Sequence, residues 1–78
     1  MAGNATDWVA RFAAELGIAP PTEEELNLLL GLASVAAHAS ERAAAPISCW
    51  LAARAGAEPR DALAAAKRVG RDIDAEGS

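Results

Sequence analysis

The amino-acid sequence predicts an all-α fold, a compact and mostly antiparallel bundle of four short helices. Three observations carry that prediction. Large apolar residues recur at helical spacing in four stretches. Nowhere do they alternate with polar residues at the period of a strand. The stretches are separated by glycines, prolines and helix-capping residues. A chain of 78 residues has room for one domain, here residues 1–78, with its ordered core expected at about residues 6–73.

The first helix is expected to start near Thr6, which can cap it, and to end at Gly17. Trp8, Val9, Phe12 and Leu16 share one face of it, and Asp7, Arg11 and Ala14 lie opposite. Ile18-Ala19-Pro20-Pro21 then forms a stiff connector. Thr22 and Glu25 have the spacing of a capping box, and the acid run Glu23-Glu24-Glu25 suits the positive end of a helix dipole. The second helix runs from there to about Ser40. Leu26, Leu29, Leu30, Ala33 and Ala37 line one side and Leu28, Leu32 and Val35 another, so this helix should lie at the centre with neighbours on both sides. Its remaining stripe is Asn27, Gly31, Ser34, His38 and Glu41.

Pro46 suits the first turn of a third helix, where its missing N–H would have no intrahelical partner anyway. Ile47, Trp50, Leu51 and Arg54 share a face there, and Gly56 ends it. Pro59 opens a fourth helix with Glu58 as an imperfect cap. Leu63, Ala66, Val69 or Gly70, and Ile73 form its apolar stripe, and Lys67, Arg68 and Arg71 sit near its negative end. Residues 1–5 and the tail from Asp74 to Ser78 are expected to be loose.

Composition limits what such a bundle can do. Hydrophobic residues make up 53% of the chain, but 22 of them are alanine, which adds little to a core. The burial is therefore expected to rest on Trp8, Phe12, Leu16, Leu26, Leu29, Leu30, Leu51, Leu63 and Ile73. So thin an interior shields a catalytic centre poorly, and no enzyme is expected. A net charge of −4 argues against nucleic acid as the main partner. No apolar run approaches the ~20 residues that span a bilayer. Met1 to Trp8 lacks the basic and apolar segments of a signal peptide, and Cys49 is the single cysteine; both favour the cytoplasm. The Asn4-Ala5-Thr6 triplet is read as a chance match to a glycosylation site.

Few residues carry recognisable chemistry. His38 lines up with Ser34 and Glu41 on a helix face, in residue type like a hydrolytic triad, but one helix face supplies no oxyanion hole. A polar groove position or a ligand contact are the other readings of His38. Cys49 is either a small core residue or a thiol near a helix N-terminus. One Cys and one His fall short of the four ligands of a zinc site, and the six glycines form no phosphate loop, so no metal or cofactor is expected.

The stretch Ala36-Ala37-His38-Ala39-Ser40-Glu41-Arg42-Ala43-Ala44-Ala45-Pro46-Ile47 gathers His, Glu and Arg at a helix end, then restarts a helix at proline. Together with Trp8, Leu16-Gly17, the Leu26 to Ala37 run, Trp50-Leu51-Ala52, Gly56 and the Pro59 to Val69 helix, it resembles a family of small helical domains of unknown function. In some chains these follow a molybdenum-cofactor guanylyltransferase-like domain; in others they stand alone. The resemblance implies a cytoplasmic, non-enzymatic accessory or interaction domain linked to molybdopterin nucleotide transfer. It does not carry over transferase activity, which needs a nucleotide loop that this chain lacks. The positions matching its polar signature, His38, Glu41, Arg42 and Pro46, are the candidate interaction site, unless Arg42 and Glu41 only pair and finish a helix end. The expected partner is a molybdenum-cofactor nucleotidyltransferase or a second copy of the chain. Two alternatives stand beside this. One is an anion-binding module built on His38, Arg42 and the N–H groups near Pro46. The other is a structural homo-oligomer packed through alanine faces such as Ala62, Ala65 and Ala66.

Overall fold

A computed structural model describes residues 5–76 and contains four helices, α1 (Ala5–Leu16), α2 (Glu23–Ala39), α3 (Ala44–Arg54) and α4 (Pro59–Glu76). The all-α expectation holds, and no strand occurs among the described residues. The expectations for residues 1–4 and 77–78, including the Asn4 end of the glycosylation triplet, lie outside them. None of these helices is long and apolar enough to cross a membrane.

The helix ends follow local chemistry. Glu25 donates its backbone N–H to Thr22 Oγ1 at 3.1 Å, and Thr22 donates its own to Glu25 Oε1 at 2.8 Å, so the capping box is formed in both directions. Thr22→Ala removes one half of it and is expected to cost about 1 kcal/mol in urea unfolding. Gly17 and Gly56, at φ of 76° and 70°, end α1 and α3 in the left-handed conformation that glycine adopts without a Cβ clash. In both cases the next residue reaches back, Ile18 N–H to Ala13 and Ala57 N–H to Ala52, each at 3.0 Å, which satisfies a helix-end carbonyl.

Three boundaries differ from expectation. α1 is already helical at Ala5, the first described residue, so Thr6 lies within the helix and does not cap it. α3 begins at Ala44, two residues before Pro46; the proline still sits in the first turn, where no N–H is needed. α4 continues through Asp74 to Glu76, where a loose tail was expected.

Packing centres on α2, as its two-sided leucines require. It makes extensive contact with α3 and with α4, and no other pair of helices makes comparable contact. The register with α4 rises along both helices. Arg60 Nη2 donates to Glu24 Oε1 at 3.0 Å, Gly31 faces Leu63, and Gly70 faces Val35 and Ala39. α2 and α4 therefore run parallel, not antiparallel, because a single helix, α3, returns the chain between them. Gly31 belongs to this contact, so part of the remaining stripe of α2 is packing surface.

The composition of the core is the main correction. The buried residues are Ala13, Leu32 and Ala62. Of the expected anchors, Leu26, Leu29 and Leu63 are only half-buried. Trp8, Phe12, Leu16, Leu30, Leu51 and Ile73 are exposed, Trp8 at 59%. The physical reason is the arrangement of helices: α3 and α4 flank α2 without closing on each other, and the apolar face of α1 meets no helix that covers it.

Candidate functional site

His38 lies in the last turn of α2. Its Nδ1 is 2.7 Å from the Ser34 carbonyl oxygen and 3.2 Å from Ser34 Oγ. A carbonyl can only accept, so Nδ1 carries the proton and donates to it. The lone pair of the neutral ring then sits on Nε2, away from Ser34. In this geometry His38 does not act as a base toward the Ser34 hydroxyl, which a serine nucleophile would require.

What surrounds His38 comes from α4. The parallel register sets Lys67, Gly70, Arg71 and Asp74 beside Ser34 and His38, around a shallow depression of about 390 Å³. Arg42 does not line it. Glu41, Arg42 and Pro46 are exposed, and no ion pair joins Glu41 to Arg42. Their backbone does structural work: the carbonyls of Glu41 and Arg42 accept from Ala44 and Ala45 N–H at 2.9 and 3.1 Å and so start α3. The candidate site thus divides in two. His38 joins a basic pair that sequence spacing did not single out for it, whereas Glu41 and Arg42 form the turn into α3 and Pro46 lies in the first turn of that helix.

Beyond that turn, the outer face of α3 carries Ile47, Trp50 and Leu51, each more than half exposed. The Arg54 guanidinium lies 5.1 Å from the Trp50 ring centroid, a cation–π contact one helical turn long. Between α3 and α4, over the Leu32 to Ser40 half of α2, runs a groove of about 410 Å³ lined almost entirely by apolar side chains, with Leu51, Val69 and Ile73 at its exposed edges.

Cys49 is half-buried on α3, and burial pushes its thiol above the ordinary cysteine value. It lies beyond the first turn of α3, where the dipole would favour a thiolate. The thiol is therefore expected to stay protonated at pH 7 and to react with iodoacetamide more slowly than free cysteine. A rate equal to or above that of the free thiol would contradict it. Among the described residues, no group of three or more His, Cys, Asp or Glu side chains is placed to hold a metal ion.

Comparison with known proteins adds one relation. Residues 2–77 match the model of a family described as a domain of unknown function (DUF6457). No curated protein and no solved structure matches the chain.

Proposed function

This chain belongs to the DUF6457 family of domains of unknown function, and from its surface chemistry we propose that it is a non-enzymatic protein-interaction domain. The observation that carries this reading is the outer face of α3. Ile47 and Trp50 are each 58% exposed, with Arg54 held over the tryptophan ring. Tryptophan and arginine are the residue types that most often dominate binding energy at interfaces, and a monomer gains nothing from exposing them. The polar turn at Glu41 and Arg42 precedes this helix and would form the rim of the same contact.

The partner we propose is a molybdenum-cofactor nucleotidyltransferase. It rests on the resemblance of the chain, and of its Ala36 to Ile47 segment above all, to domains that in some chains follow such enzymes, with a cytoplasmic location as its corollary. Co-purification with the transferase from the same source tests it. Retention by the wild-type chain and loss with Trp50→Ala are the expected results. No association, together with no effect on transferase activity, would sink the reading.

A second reading has its own observation, the depression shared by His38, Lys67 and Arg71. Two basic side chains beside an imidazole suit a phosphate or another small anion, although Asp74 at the same rim opposes it. Thermal-shift titration with inorganic phosphate and with guanine nucleotides examines this. A rise in melting temperature that disappears in Lys67→Ala and Arg71→Ala supports it. An unchanged melting temperature, or a shift that survives both substitutions, removes it.

A further inference from the structure

The chain exposes far more surface than its size requires. A folded monomer of 8.0 kDa is expected to expose about 4,450 Å², whereas this one exposes 5949 Å². Its radius of gyration is 13.8 Å, against about 11.5 Å for a typical domain of 78 residues. The surplus, roughly 1,500 Å², exceeds the ~800 Å² that each partner contributes to an interface of standard size.

Two apolar features account for much of the exposed apolar surface, and they fit each other. The first is a ridge on α1. Trp8, Phe12 and Leu16 are 59%, 49% and 57% exposed and share one face, and Ile18, just past the helix end, is 61% exposed. The rings of Trp8 and Phe12 stack at 4.9 Å, which makes the ridge a preformed aromatic block. The second is the groove between α3 and α4. Trp8 to Leu16 spans about 12 Å along a helix, and Ala62 to Ile73 along the groove about 16 Å, so the ridge fits its length. The groove carries no charge that would have to be desolvated, since its only polar side chains are Ser40 and Ser48; on α1, Asp7 and Arg11 pair with each other at 3.1 Å, and Glu15 flanks the ridge.

We infer that the chain forms a symmetric dimer in which the α1 ridge of each copy occupies the α3–α4 groove of the other. Within one chain the two surfaces do not meet. α1 is tied through Pro20-Pro21 to the Glu23 end of α2, whereas the groove floor is the Leu32 to Ser40 half. A second copy supplies the missing helix to both grooves at once. The reciprocal arrangement also closes, which a single ridge-in-groove contact repeated head to tail need not do. This groove shares Leu51 with the outer face of α3 proposed above for another protein, but Ile47, Trp50 and Arg54 lie outside it, so variants at Trp50 and at Phe12 or Ile73 test the two inferences separately.

Sedimentation equilibrium of the full chain between 1 and roughly 100 μM tests the dimer. Wild type is expected to be dimeric in this range. The ridge variant Phe12→Ser and the groove variant Ile73→Glu are each expected to weaken self-association at least tenfold with helical circular dichroism retained. Mixing the two variants restores part of the affinity, because one wild-type ridge then meets one wild-type groove. If Ile73→Glu loses helicity, Val69→Ser probes the same groove edge more mildly. A wild-type monomer throughout the range overturns the inference, as does a dimer indifferent to both ridge and groove variants. A monomer whose Trp8 is shielded from a fluorescence quencher would also overturn it and would mean that α1 closes on its own chain.

Discussion

Leu32→Ala is expected to lose 2–5 kcal/mol, roughly, of unfolding free energy, the usual range for emptying a buried leucine site. Leu32 is 4% exposed and is the one large buried side chain among the described residues; the other two buried residues are alanines. At ordinary stability per residue, a chain of 78 residues has about 4–12 kcal/mol in total. A core this thin places it toward the lower end, so the variant is expected to be partly unfolded without denaturant. Urea titration followed by circular dichroism measures this. Ile47→Ala is the control: Ile47 is 58% exposed and its truncation should change stability by no more than about 0.5 kcal/mol. Equal losses at the two positions would mean that burial does not rank these side chains.

Gly31 gives the second large effect, and its sign depends on the substituent. A Cβ there would lie 3.5 Å from both δ-carbons of Leu63, which is ordinary van der Waals contact. Gly31→Ala is therefore expected to be tolerated, with a gain of about 0.5–1 kcal/mol from helix propensity. Gly31→Val has branches that must enter the space of Leu63. It should push α2 and α4 apart at a cost of about 1–3 kcal/mol, since overpacking forces backbone shifts. Because α2 and α4 form a major contact of the fold, the loss should appear as a lower midpoint of cooperative unfolding. Stabilisation by both substitutions would show that the two helices do not approach so closely at this point.

These effects separate what could be read along the chain from what could not. The capping box at Thr22 and Glu25, the glycine stops at Gly17 and Gly56, and the prolines in the first turns of α3 and α4 were legible because each depends on neighbours within one turn. Leucines on two sides of α2 were also enough to place it at the centre. The identity of the core was not legible. An amphipathic face such as Trp8, Phe12 and Leu16 shows that a helix can bury one side; it does not say what covers it. Alanine acts as the composition implies: it thins the core and permits close approach, so Ala13 and Ala62 are buried while larger neighbours stay exposed.

The same division runs through the candidate site. Sequence proximity tied His38 to Glu41 and Arg42, but a helix end turns neighbouring side chains in different directions. The cations that meet His38, Lys67 and Arg71, lie about thirty residues away and reach it only through the parallel register of α2 and α4. The sequence alone therefore determined four helices, the stops of α1 and α3 at Gly17 and Gly56, and which helix is central, since hydrogen bonds from residue i to i+4 and caps are local interactions. Only the tertiary structure decided which apolar faces are covered, which are left as ridge and groove, and which charges gather around His38. Those outcomes depend on the positions of whole helices relative to one another, a geometry that no short stretch of residues specifies.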